Sequence, residues 1–165
     1  KMVTPVTEMY KKIKENRDII KKRSKEKYRV DKFPLKVINP AEGRISGIYG
    51  SQRMLNGIKK NPHGGLDIAA PAGTPIRATS DGKVFLAAKG LYYTGNIVII
   101  NHGYELQSMY IHMKDINVKK GDPVKQGQII GTVGSTCRST VPHLHWNIYW
   151  NKTRINPELL LTISK

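Results

Sequence analysis

Five histidines and one aspartate carry the chemically suggestive spacings in this chain of 165 residues: His63, His102, His112, His143, His145 and Asp67. In Pro62-His63-Gly64-Gly65-Leu66-Asp67 an imidazole and a carboxylate stand four residues apart. The proline and the paired glycines argue against a helix, and in a strand an even separation puts both side chains on one face. The same parity puts His143 and His145 of Pro142-His143-Leu144-His145 on one strand face, with Leu144 turned away. If the two strands are neighbours, both segments reach one point. A hydrolytic zinc site takes three nitrogen or oxygen ligands from the protein and keeps a fourth position for water, whose pKa falls towards about 7. His63, Asp67 and either His143 or His145 meet that count and leave the other imidazoles for proton transfer. Each spacing is weak alone, because His-x3-Asp is more often a hydrogen-bonded turn and His-x-His more often a packed or surface pair. His102, in Ile100-Asn101-His102-Gly103, sits at a strand end and reads as a hydrogen-bonded turn residue.

The elements that must position these groups are short and β-like. From about residue 33, alternating and β-branched runs at 45–49, 75–79, 83–88, 96–101, 107–112, 128–133 and 144–150 are separated by Gly, Pro, Asn and Asp. The expected fold class is mainly β, a small antiparallel β-sheet or sandwich domain over residues 38–165 in which Asn156-Pro157-Glu158 starts a last helical turn. Residues 7–29 contain no Gly or Pro and pair Glu8 with Lys12 and Asp18 with Lys22, which predicts a helix. Asn16 and Arg17 break its apolar stripe of Met9, Tyr10, Ile13, Ile19 and Ile20, so it reads as exposed or lightly docked. Residues 1–37 are therefore expected to be a basic helical linker or regulatory segment.

Lysine and arginine outnumber aspartate and glutamate by 28 to 12, a net charge of +16, which points to polyanionic partners. Residues 1–36 hold 13 of the basic and 5 of the acidic side chains, so half of the excess lies in about a fifth of the length. Nothing reads as a specific nucleic-acid motif. The longest aliphatic run, Ile97-Val98-Ile99-Ile100, is four residues, against the roughly 20 that a spanning helix needs. One cysteine, Cys137, excludes an internal disulfide and a cysteine-rich zinc site, and it reads as a structural or incidental thiol. The chain starts at Lys1 without an initiator Met, which is expected of a processed or trimmed chain and leaves room for a membrane anchor upstream.

The segment from Pro62 through Asp67 and on through Ile68-Ala69-Ala70-Pro71-Ala72-Gly73-Thr74-Pro75-Ile76 resembles the signature of the lysostaphin/LytM-type zinc peptidoglycan endopeptidases. Further blocks follow in the family's order: Asp81-Gly82-Lys83-Val84, Gly95-Asn96-Ile97-Val98-Ile99, Tyr110-Ile111-His112-Met113, Lys120-Gly121-Asp122-Pro123-Val124, Gly127-Gln128-Ile129-Ile130-Gly131 and Pro142-His143-Leu144-His145. The resemblance implies one zinc ion per chain on His63, Asp67 and His145, with His112 and His143 as catalytic histidines in an active-site groove. It lacks a His-Glu-x-x-His helix, so histidines rather than a glutamate take the proton. Their neutral forms are needed, so activity is expected to fall below about pH 6. The chain departs from the family pattern at Cys137 and Val141, where glycines are usual, and at Trp146 and Asn147, which replace Phe and Glu.

The resemblance implies a zinc-dependent endopeptidase acting on cross-links or stem peptides of peptidoglycan in the bacterial cell envelope, outside the cytoplasm and in the periplasm. The anionic wall surface is the expected polyanion. A D,D-endopeptidase is favoured over a glycyl-glycine cutter, since no wall-targeting domain follows the catalytic part. The alternative is an inactive family member that binds and activates a wall hydrolase; such proteins typically lack metal ligands, whereas all five positions are filled here. The block 120–131 also resembles half of a lipoyl- or biotinyl-type domain, but no modifiable lysine stands at a hairpin tip, and its Gly-Asp and Gln-Gly pairs read as turns.

Overall fold

Alternation and β-branching in the sequence give twelve strands and two α-helices among the residues described by the computed structural model, which are 6–25, 27–33, 36–136 and 141–163. Helix α1 is Val6–Lys21 and α2 is Pro157–Ile163. The strands are β1 (Arg44–Gly47), β2 (Met54–Leu55), β3 (Ile58–Lys59), β4 (Leu66–Ala69), β5 (Pro75–Arg77) and β6 (Gly82–Leu91). They continue with β7 (Gly95–Asn101), β8 (Leu106–Ile116), β9 (Pro123–Val124), β10 (Ile129–Val133), β11 (His143–Trp150) and β12 (Thr153–Ile155). Ten strands form one sheet with the path β1-β4-β11-β8-β7-β6-β9; β10 joins β8 and β5, and β12 joins β11. Every pairing is antiparallel.

The two sheet faces are covered differently. On one, Leu144, Trp146 and Ile148 of β11 join Leu66, Ile68, Tyr110, Ile76 and Ile130 in the main core. On the other, Tyr149, Met109, Ile111, Ile97, Ile99 and Phe85 form a second cluster, against which Ile20 of α1 packs. Ile13 is also buried, and Tyr92 donates from its hydroxyl to the Met9 sulfur. Asn16 is half-buried on the same helix side, so the interrupted stripe still docks the helix, while Tyr10 and Ile19 stay exposed.

The structure departs from the sequence expectations in several elements: β9 and β12 are further short strands, and His63 lies in the loop before β4 rather than in a strand with Asp67. The helix ends at Lys21 and passes through a 3-10 turn at Lys22–Ser24, rather than continuing to residue 29. Gln107 donates to the Arg23 carbonyl, the Arg23 guanidinium lies 4.0 Å from the centre of the Tyr149 ring, and Phe33 meets Tyr104 edge-on. Exposed charge pairs at four-residue spacing contribute only about 0.3–0.5 kcal/mol each, too little to hold a helix against these contacts. The β2–β3 hairpin is a further element beyond the expected strands, with Asn56-Gly57 as its signal: both residues have positive φ, as a two-residue type I′ loop requires. Finally, α2 is a full short helix rather than a turn, with Asn156 accepting from the Glu158 amide and Pro157 at the first position.

His102 is the hydrogen-bonded turn residue expected. It is fully buried, its Nδ1 donates to the Asp81 carbonyl, and its Nε2 accepts from Ser108 Oγ, whose oxygen lies 2.8 Å from the Tyr110 hydroxyl. Burial lowers its pKa to about 4, with the Asp81 contacts opposing. A base whose folded pKa lies below its unfolded value stabilises the fold fully above the unfolded value, and that stability is lost as pH falls through the folded one. Metal-free protein should therefore lose stability between about pH 6.5 and 4, at roughly 1.4 kcal/mol per pH unit for this group. Urea unfolding across that range sums this slope with those of the other lowered histidines, and it should become shallower by up to this amount in His102→Asn; an equal slope in the variant contradicts the assignment.

Candidate metal centre

Strands β4 and β11 are adjacent, and their register sets His145 directly opposite Asp67. Asp67 lies between Leu66 and Ile68, which enter the main core, so its carboxylate stands on the other face. His143, His145 and Asn147 share that face with Tyr149. His63, just before β4, completes the group: its Nε2 is 3.0 Å from Asp67 Oδ1 and 3.0 Å from His145 Nδ1. The three ligand atoms all lie within 4.8 Å of one another. Two glycines permit this approach. A Cβ on Gly47 would stand 2.6 Å from Asp67 Oδ2, and one on Gly65 would stand 2.2 Å from Asn147 Oδ1.

The outer ring nitrogens decide what this cluster can hold. His63 Nδ1 donates to the Ile48 carbonyl at 2.8 Å, so the neutral ring turns its Nε2 lone pair inward. His145 Nε2 donates to Asn147 Oδ1 at 3.0 Å, which turns the Nδ1 lone pair inward. These tautomers are assigned from the partners. Asp67 sits well below the usual carboxylate range: burial would raise it, but hydrogen bonds and charge from His145 and His63 prevail. Burial pushes His145 down, against the pull of Asp67. With the ring protons on the outer nitrogens, the carboxylate and the two imidazoles turn three acceptors towards one point, and without a cation there a ring proton can move inward to Asp67. This donor set fits a divalent metal, which needs its ligands deprotonated.

Two more histidines flank the cluster. His143 donates from Nδ1 to the Val141 carbonyl, and its Nε2 is 4.0 Å from Asp67 Oδ1. His112 donates from Nδ1 to the Thr136 carbonyl, and its ring centre is 5.1 Å from that of His143 and 6.4 Å from that of His145. Simple alternation would turn His112 to the main core beside Tyr110. Instead φ is +64° at His112, and β8 advances three residues from Tyr110 to Met113 while β7 advances two from Val98 to Asn96. This bulge puts Met113 in the core and swings His112 to the metal-facing side. Burial, with His143 adding to it, lowers the His112 pKa to about 4, with the hydrogen bond to the Thr136 carbonyl opposing.

The structure therefore brings together His63, Asp67, His145, His143 and His112, and keeps His102 apart. Cys137 lies outside the described residues. Two neighbours have no signal in the ligand spacing. Arg53, with a half-exposed side chain, reaches Asp67 Oδ2 at 3.3 Å, and Asn147 carries the His145 contact.

Residues 61–157 match Peptidase family M23. Among curated proteins, the chain is 42% identical over 106 residues to peptidoglycan DD-endopeptidase ShyA of Vibrio cholerae, covering 64% of this chain and 24% of ShyA. It is 45% identical over 115 residues to glycyl-glycine endopeptidase ALE-1 of Staphylococcus capitis, covering 66% of this chain and 32% of ALE-1. The chain thus spans about a quarter to a third of these relatives. A protein crystallised as a peptidase M23 from Pseudomonas aeruginosa superposes with a TM-score of 0.83 at 34% identity, over 94% of this chain and 63% of that one.

The convergence makes a direct prediction. Asp67→Ala or His145→Ala should reduce bound divalent metal, measured by elemental analysis after zinc loading and desalting, to a small fraction of the wild-type content. Full metal content in either variant would sink the three-ligand centre.

Proposed function

This chain belongs to peptidase family M23, and from that premise we propose that it is a zinc-dependent endopeptidase hydrolysing peptide cross-links or stem peptides of bacterial peptidoglycan. The carrying observation is the meeting of His63 Nε2, Asp67 Oδ1 and His145 Nδ1 with their outer nitrogens already engaged. In this reading those three side chains hold one zinc ion per chain. Bound there, zinc supplies Lewis acidity towards a scissile carbonyl and a water of lowered pKa. His112 and His143, whose Nδ1 atoms are tied to backbone carbonyls, accept and return the proton and stabilise charge developing on the carbonyl oxygen. Residues 38–165 form the catalytic domain, and 1–37 contribute the basic helix laid on the same sheet face.

D-alanyl cross-links are the favoured substrate within this reading. The half-exposed Arg53 guanidinium beside Asp67 suits peptides that carry carboxylates better than an uncharged glycine bridge. The net charge of +16 suits an anionic wall surface, with attraction that salt weakens. Among the described residues no helix is long and apolar enough to cross a membrane. In this reading the enzyme works outside the cytoplasm, in the periplasm of the cell envelope, where a wall substrate is met.

Digestion of purified muropeptides tests this. D-alanyl-linked dimers should be cut, a chelator should stop the reaction, and pentaglycine bridges should survive; zinc-loaded protein that cuts neither would contradict the enzyme reading and favour an inactive, hydrolase-binding member. His112→Asn, whose side chain tolerates the left-handed backbone, should retain zinc and slow turnover by about 10²–10⁴-fold. Undiminished turnover removes His112 from the chemistry.

A further inference from the structure

Of the four imidazoles at the site, His63, His112 and His143 donate outward to backbone carbonyls, whereas the outer nitrogen of His145 meets the side chain of Asn147. Asn147 is buried at 3% exposure on β11, in the space left by the missing side chain of Gly65. Its Nδ2 donates to the Met109 sulfur at 3.7 Å. Sulfur accepts weakly and the thioether has no proton to give, so the amide nitrogen turns to Met109 and the oxygen to His145. We propose that Asn147 is a positioning residue for the metal: its Oδ1 holds His145 with the proton on Nε2 and so presents Nδ1 to the ion. An amide does this without placing a second buried negative charge beside Asp67.

The proposal rests on the metal-site reading above and separates from it by experiment. Zinc affinity is measured by chelator competition in the full chain, and melting temperature is measured in excess chelator. Asn147→Leu removes the acceptor at similar volume and should weaken zinc binding by about 10–100-fold, the usual effect of losing such a partner. Its metal-free melting temperature should stay near wild type, because without metal His145 can move its proton to Nδ1 and donate to Asp67. Asn147→Asp restores an acceptor and should hold zinc within about threefold of wild type or tighter. Zinc-loaded wild type should show a slowly exchanging imidazole proton on His145 Nε2 that Asn147→Leu loses. Unchanged zinc affinity in Asn147→Leu overturns the proposal alone, as does a metal-free melting temperature that drops in both variants in step with affinity. Wild-type protein that takes up no zinc overturns the metal-site reading and this proposal with it.

Discussion

One carboxylate oxygen and two ring nitrogens, turned inward with the outer ring nitrogens already engaged, constrain everything else at this site. An ionised carboxylate facing two imidazole lone pairs is costly in a buried place unless a cation sits among them. The fold nevertheless builds this arrangement from rigid parts. Asp67 and His145 are opposite residues of two paired strands, and His63 is tied to the Ile48 carbonyl. A slip of one residue between β4 and β11 would turn one partner into the core, where Leu66, Ile68, Leu144 and Trp146 now fill the space. Burial of those four apolar side chains on one face therefore fixes the ligand register on the other.

The same hydrogen-bonding device recurs on the flanking histidines. Each has its outward nitrogen engaged, so the ring is oriented before any substrate arrives. His112 requires an additional backbone distortion. A left-handed conformation at a non-glycine residue costs on the order of 1 kcal/mol, and here it brings the imidazole within 5.1 Å of the His143 ring centre. Helix α1 lies on this sheet face too, over the cluster that contains Ile111 and Met109, whose register partners are His145 and Asn147.

Much of this is legible in the residues. Even spacing puts His143 and His145 on one face, and the alternating runs locate the main strands. Other features depend on tertiary context. Parity alone turns His112 the wrong way, because a bulge leaves no compositional mark when its left-handed residue is not glycine. Helix propensity carries α1 too far, since the docking of Arg23 on Tyr149 lies outside any local window. The Asn56-Gly57 hairpin is short enough to pass for loop, although its turn chemistry is present. Arg53 and Asn147 touch the ligands from positions that no ligand spacing marks, so only the folded sheet brings them into view.

X-ray absorption at the zinc edge of loaded wild-type protein tests the central claim most directly. The account predicts a first shell of nitrogen and oxygen at about 2.0–2.1 Å with an imidazole scattering pattern for two histidines. A shell of sulfur at about 2.3 Å, which would require Cys137, or a shell without imidazole would contradict it.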